Sequence, residues 1–231
     1  MVTTVYLVRH AEAEGNAKEF FQGNIDTLLT EKGLKQLDFL ADRFRDIPLD
    51  AIYTSPYARA RQTAEAVNRY HRLTLIPDER LREINAGDWE RRKWADLPTL
   101  FPAEYALWTQ KMYDFIAPNG DRMTDVYTRM RDTVTEIAQA NPGKTIAVAS
   151  HGCALRNFLC YVEFGDIKRL KDVGWADNTA VSLAEFDPER GWHLVYKNHA
   201  DHLPPEYSTL RTSKWSQYDR KNNDILPSIA K

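Results

Sequence analysis

Three short apolar runs in this chain end in the same way. Val5-Tyr6-Leu7-Val8 leads into Arg9-His10, and Ala51-Ile52-Tyr53-Thr54 leads into Ser55-Pro56-Tyr57-Ala58-Arg59. Thr145-Ile146-Ala147-Val148-Ala149 leads into Ser150-His151-Gly152. Runs of this length and β-type composition read as buried strands. The last two feed directly into helical spacing: Ala60, Ala64 and Val67 after one, Leu155, Phe158, Leu159 and Val162 after the other. Strands alternating with helices predict an α/β protein with a mostly parallel sheet. Open sheets of that kind hold ligands beyond the carboxyl ends of their strands, where each run delivers a cationic or cationisable residue.

The rest of the chain supplies the connecting elements. Residues 11–30 lack periodicity and hold Gly15, Asn16, Gly23, Asn24 and Asp26, so they read as a loop near the first junction. Thr30 is a helix cap with Glu31 in the first turn and Leu34, Leu37, Ala41 and Phe44 along one face. Ser55 is expected to cap the helix after the second run, with Pro56 in its first position. Leu73 to Ile76 reads as a short strand. Residues 91–119 are rich in Trp, Tyr and Pro, and read as short interrupted helices inserted over the sheet edge. Thr124 opens a helix with Val126, Met130, Val134 and Ile137 on one face, closed by Asn141-Pro142-Gly143. Residues 180–186 and 192–196 read as a hairpin around Asp187-Pro188-Glu189-Arg190-Gly191. From Pro204 the chain is polar, with Tyr207, Trp215 and Tyr218 scattered in it.

With 231 residues and neither a repeat nor a linker, one domain is the economical reading. A net charge of −2 gives no reason to expect a nucleic-acid or membrane partner, and no apolar run approaches a membrane span. Arg9 interrupts the N-terminal apolar stretch, which argues against a signal peptide. Cys153 and Cys160 match neither a disulfide framework nor a metal motif, and suggest buried thiols in a reducing, cytoplasmic setting.

If the three strand ends lie side by side, Arg9, His10, Arg59 and His151 converge at one sheet edge with two helix N-termini aimed at the same place. Such a cluster suits a multiply charged anion, and phosphate above all, because the guanidinium fork matches its oxygens. A hydrogen bond to a charged group is worth about 1.5–3 kcal/mol, against roughly 0.3–1 for a charge at a helix terminus. Loss of Arg59 is therefore expected to matter more than disturbing either cap. Phosphomonoester hydrolysis is extremely slow without a catalyst, and a neutral imidazole divides the barrier by forming a phosphoramidate. Glu83 is then a candidate to protonate the leaving oxygen and afterwards activate water.

These residues carry a family resemblance. Leu7-Val8-Arg9-His10-Ala11-Glu12-Ala13-Glu14-Gly15-Asn16 resembles the signature of the histidine phosphatase superfamily, the phosphoglycerate mutase-like group, branch 1. Ser55-Pro56-Tyr57-Ala58-Arg59-Ala60-Arg61-Gln62-Thr63-Ala64 resembles its second motif. Leu81-Arg82-Glu83 with Gly87-Asp88-Trp89-Glu90 resembles the third, and Ser150-His151-Gly152 the fourth. Asp26 with Leu29-Thr30-Glu31-Lys32-Gly33 and Gln36, and Asn198 with His202-Leu203, match further stretches. The matches fall in the family's order between positions 4 and 203.

The resemblance implies a three-layer sandwich with a helical insertion over the active site. Residues 1–203 would form one catalytic domain with 85–120 as its cap, followed by a tail at 204–231. It implies His10 as the nucleophile, Glu83 as the acid/base, and Arg9, Arg59 and His151 as the phosphate pocket. Asn16, Gln22 and Gly23 would help hold the transferred group, and Gly152 belongs to the same pocket. It implies no cofactor and no metal. Ala11 stands where the family usually has Gly, Ala13 where it often has Thr, and Leu28 where Pro is usual. Arg91 replaces a customary Gly, and Gly120-Asp121-Arg122 stands in for Gly-Glu-Ser.

Hydrolysis of small phosphorylated metabolites is favoured over phosphoglycerate isomerisation, because residues 91–119 lack the mutases' Arg-x-Tyr-Gly and later Asn-Lys. A specialised phosphatase, for α-ribazole phosphate or a sugar bisphosphate, stays open, as do a silent phosphate-binding module and a homodimer. A zinc site is rejected, since two flanking arginines repel a cation and no His-x-x-x-His or Cys-x-x-Cys accompanies the histidines. Arg91-Arg92-Lys93 reads as a solvated face rather than a substrate contact. His71, His193, His199 and His202 read as structural or incidental. Trp89, Trp94, Trp108 and Tyr113 suit either a pocket lining or a core.

Overall fold

The computed structural model describes residues 1–212, so Trp215, Tyr218 and the remainder of the expected tail lie outside the described residues. Six strands form one sheet: β1 (Thr3–Arg9), β2 (Ala51–Thr54), β3 (Leu75–Pro77), β4 (Thr145–Ser150), β5 (Val181–Asp187) and β6 (Gly191–His199). Their order is β3-β2-β4-β1-β5-β6. The β1–β4, β2–β4 and β2–β3 pairs are parallel, whereas β5 runs against both its neighbours. The sheet is therefore mixed, with its parallel part at the three junctions. The 180–199 segment forms the expected hairpin, with β6 extending to His199 rather than Tyr196.

The period of two in the strands assigns each side chain to a layer. Val5, Leu7, Ile146 and Val148 face the core shared with α6 (Met123–Gln139) and α7 (Gly152–Phe164). Val8, Ala147 and Ala149 face the opposite core, with Leu40 and Phe44 of α2 (Glu31–Phe44) and Ala64 and Val67 of α3 (Ala58–Val67). Helices thus cover both faces, and the fold is the expected three-layer sandwich. None of the helices among the described residues is long and apolar enough to cross a membrane.

The irregular 91–119 segment contains α4 (Leu97–Leu100) and α5 (Pro102–Gln110), with a 3-10 turn at Met112–Asp114. Apolar stacking holds it down more than periodic packing does. Trp89 is fully buried, its ring centroid 4.8 Å from that of Phe115 and within 6 Å of those of Phe21 and Trp108. Arg91, Arg92 and Lys93 are exposed, as a solvated face should be. Arg91 takes a left-handed φ of 65°, which explains why glycine is customary there.

Several local expectations need correction. Thr30 does cap α2, accepting from Gly33 N at 2.9 Å, but Leu34 is exposed; the buried face is Leu37, Leu40, Ala41 and Phe44. Residues 11–30 are mostly loop but include one helical turn, α1 (Glu14–Ala17). β3 extends over Leu75–Pro77, so Pro77 belongs to the strand; it sits at the sheet edge, where a missing N–H is tolerated. Ser55 does not cap α3 and Pro56 is not its first residue. Ser55 N still donates to Ala149 O at 3.0 Å, as a continuation of β2, and the helix begins three residues later at Ala58. The cap comes from afar: Asp26 Oδ1 accepts from Ala58 N at 2.8 Å. The described part of the 204–231 segment, whose polar sequence leaves open whether it packs over the body, does so. Ser208 and Thr209, the latter opening α8 (Thr209–Thr212), are buried against it.

Candidate active site

The parallel registers bring the three junctions level. Arg9 pairs with Ser150 and Thr54 with Ala149, and His10 N donates to Ser150 O at 3.0 Å. Arg9, His10, Arg59 and His151 are all buried. Arg59, on the first turn of α3, donates through Nη1 to Ile25 O at 2.6 Å and through Nη2 to Gly23 O at 2.8 Å. The 23–25 turn is thereby tied to the second junction. Gly23 sits at φ 53°, and a Cβ there would collide with the Glu90 carboxylate that accepts from Asn24 N. Arg9 Nη1 donates to the Ala176 carbonyl. A Cβ on Gly152 would stand 3.2 Å from Arg9 Nε, so the glycine lets the guanidinium lie close to the start of α7.

His10 has a defined tautomer. Its Nδ1 lies 2.7 Å from Ala11 O, and since a carbonyl only accepts, Nδ1 carries the proton and Nε2 holds the lone pair. Burial, then the charges of Arg59 and Arg9, push the pKa of His10 well below the usual 6.5, so the ring is neutral at pH 7. The pKa of His151 is depressed in the same way, by burial first and then by Arg59 and His10. The two rings are 5.3 Å apart, and His151 Nε2 is 2.7 Å from Ser55 Oγ. Arg9 Nε, Arg59 Nε and His151 Nδ1 are buried with no hydrogen-bond partner among the described residues. Most buried polar atoms in proteins are paired. Three orphans on residues gathered around one imidazole suit an oxyanion.

Glu83 occupies the N-terminus of α7. Its carboxylate accepts from Cys153 N at 3.0 Å, Ala154 N at 2.9 Å and its own neighbour Ile84 N at 2.9 Å. This corrects the expectation that both helix ends face the anion. The α7 amides are engaged by the carboxylate, while α3 contributes Arg59. Glu83 also lines the cavity above His10, and among the described residues it is the cavity's sole carboxyl.

That cavity measures about 580 Å³ and is lined by Arg9, His10, Asn16, Gln22, Gly23, Arg59, Glu83 and Gly152 at its floor. His151 is not among the lining residues, although its ring centroid is 5.3 Å from that of His10. Asn16 Oδ1 accepts from Ala13 N at 3.1 Å and Gln22 Nε2 at 3.3 Å, so Asn16 and Gln22 brace each other. The lining also includes Phe21, Trp94, Tyr105, Trp108 and Trp175. Trp94 and Trp108 therefore line the pocket, Trp89 belongs to the core, and Tyr113 is not part of this lining. No group of three or more His, Cys, Asp or Glu among the described residues is placed to hold a metal ion.

Sequence reasoning gave no role to several supporting residues. Thr63 Oγ1 donates to Arg59 O at 2.7 Å and accepts from Ala11 N at 3.0 Å, joining α3 to the turn after His10. Asn178 Nδ2 donates to His10 O at 2.8 Å. Ser55 and Thr63 lie within the second motif and were open to detection there, whereas Asn178 carried no local signal.

A mixed α/β sheet whose parallel strand ends surround a neutral histidine with two buried arginines makes a pocket suited to a phosphate-type oxyanion. The family model of the histidine phosphatase superfamily (branch 1) matches residues 5–199, and the chain belongs to that superfamily. Phosphoserine phosphatase 1 of Hydrogenobacter thermophilus is 29% identical over 184 residues, covering 80% of this chain and 87% of that protein. The uncharacterized phosphatase PhoE of Bacillus subtilis is 29% identical, with 87% and 97% covered. Among solved structures, YhfR of Bacillus stearothermophilus superposes with a TM-score of 0.82 at 31% identity, covering 87% of this chain and 98% of that one.

Proposed function

We propose that this protein hydrolyses small phosphomonoesters through a phosphohistidine on His10. The observation that carries the reading is the His10 tautomer, Nδ1–H held by Ala11 O, in a pocket with buried Arg9 and Arg59. His10 Nε2 attacks phosphorus, the ester P–O bond breaks, and Glu83 delivers a proton to the departing alkoxide oxygen. The ring then carries a positive charge, which the Ala11 carbonyl faces. In the second half, the Glu83 carboxylate takes a proton from water as the water oxygen attacks phosphorus. The P–N bond breaks, inorganic phosphate leaves, and His10 returns to the neutral tautomer. Arg9 and Arg59 oppose the charge on the transferring oxygens throughout.

The aromatic part of the lining supports esters whose organic part has apolar surface to bury, in a cavity of the size that takes drug-sized ligands. Phosphate release from p-nitrophenyl phosphate is the first assay, with His10→Ala expected to abolish it. Mass spectrometry of an alkali-quenched turnover mixture is expected to find phosphate on the peptide that contains His10. Interconversion of 2- and 3-phosphoglycerate outpacing their hydrolysis would replace this reading with a mutase one.

A further inference from the structure

Residues 207–210 join two chain segments that hold the proposed phosphate pocket. On one side, Asp177 Oδ1 accepts from Thr209 N at 2.9 Å and Leu210 N at 3.2 Å, and its Oδ2 accepts from Ser208 Oγ. Both chain neighbours of Asp177 touch the reacting residues. The Ala176 carbonyl accepts from Arg9 Nη1, and Asn178 Nδ2 donates to His10 O. On the other side, Thr209 Oγ1 donates to Glu12 Oε2 at 3.0 Å and accepts from Gln36 Nε2 at 3.3 Å. Gln36 Oε1 in turn accepts from Glu12 N at 2.8 Å, two residues after His10. Lys32 adds an ion pair to Glu12 at 3.4 Å and a hydrogen bond to Thr212 Oγ1 at 2.7 Å. Asp177, Glu12, Gln36, Ser208 and Thr209 are all buried.

We infer that Thr209 and Asp177 are positioning residues for the phosphate pocket, holding Arg9 and the His10 turn in register through the C-terminal segment. Neither touches the cavity. Each closes a chain of hydrogen bonds that ends on backbone or guanidinium atoms of the site. Burial is the main influence lowering the pKa of Arg9, and the charge of Asp177 is the first of those opposing it, so the carboxylate acts on Arg9 as well as on the strap. Held from two sides, the Arg9–His10 corner resists the small displacements that weaken oriented catalysis.

This inference rests on the phosphate-pocket reading, so its test includes a measurement that needs no turnover. Thr209→Val keeps the shape and removes the hydroxyl, while Thr209→Ser keeps the hydroxyl. Wild type and variants are compared for kcat and KM with p-nitrophenyl phosphate, for the dissociation constant of inorganic phosphate, and for melting temperature. Thr209→Val is expected to lower kcat/KM and weaken phosphate binding by roughly tenfold, with Thr209→Ser restoring both. Should Thr209→Val not fold, Asp177→Asn, which keeps an acceptor oxygen and removes the charge facing Arg9, is expected to weaken phosphate binding in the same direction. Unchanged kcat/KM and phosphate affinity in the folded variants, whatever their melting temperatures, would overturn the inference, as would failure of Thr209→Ser to restore them. A wild-type protein that binds phosphate and hydrolyses no ester would sink the hydrolytic reading alone.

Discussion

The Ala11 carbonyl fixes which nitrogen of His10 carries the proton, and burial, with the neighbouring cations, keeps the other unprotonated. Burial, Arg59 and Arg9 all disfavour the imidazolium, so the neutral form persists as pH falls through 6.5. The kcat/KM profile, corrected for ionisation of the ester, should therefore keep its activity through that region, with the acid limb of His10 well below it. An acid limb centred at 6.5 or higher would show that the ring titrates as it does in water. Arg59 is the residue whose loss should cost most among the proposed phosphate ligands. Arg59→Ala removes the cation and also frees the 23–25 turn that its two nitrogens hold. A loss in kcat/KM of about a hundredfold or more is expected, at about 1.5–3 kcal/mol for each charged hydrogen bond. Arg59→Lys should recover little, because a single ammonium nitrogen cannot reproduce the planar fork whose two ends reach Ile25 O and Gly23 O.

At the level of elements, caps and glycines decide how well the site is presented. α6 has Arg122 as its N-cap residue, with no side-chain cap, where the family pattern has serine. Arg122→Ser should supply an acceptor for the first turn and raise stability by about 0.5–1 kcal/mol, read from the urea midpoint. Gly87 is under the opposite constraint. It has a φ of 54°, and any Cβ would collide with the Pro118 carbonyl across the base of the cap. Gly87→Ala is expected to destabilise by roughly 2 kcal/mol or more, measured as a lower melting temperature. α7 starts with Glu83 on its first amides, so the helix dipole there orients the proposed acid/base instead of the phosphate.

Across the whole molecule, histidines shielded from solvent couple the fold to acid. Burial and then Arg43 lower the pKa of His202 from 6.5 to about 4, while burial also depresses His10 and His151. Below 6.5 the unfolded chain binds protons that the folded chain refuses, so stability falls as pH drops through this window. For His202 alone, a shift of that size amounts to about 3 kcal/mol once pH reaches about 4. Urea unfolding at about pH 7 and about pH 5 should show the loss, and His202→Gln should make it shallower; equal slopes would count against the assignment. The aromatic cluster around Trp89 has a comparable structural role. It joins the irregular cap to the sheet, and Trp89→Ala should cost about 3–5 kcal/mol.

The strand ends and the candidacy of Arg9, His10, Arg59 and His151 for one shared pocket were legible from residue types and short spacings, while the order of the motifs came with the family resemblance. A strand that stops at Arg-His, or a helix that starts at a capping threonine, is determined by neighbours a few positions away. The fold class followed from the alternation of such elements, since apolar periods of two and 3.6 require different partners. What lay beyond reach were contacts between residues distant in the chain. Asp26 rather than Ser55 caps α3, Glu83 takes the amides of α7, and the 208–210 segment closes on Asp177 and Glu12. Each is a polar group satisfied by whichever donor the folded chain brings near, and no local pattern encodes that choice. Amino-acid order determined which side chains are candidates to carry the chemistry; tertiary structure decided which tautomer, which helix end and which stretch of backbone hold them, because a buried polar atom takes its partner from whatever the fold brings near in space.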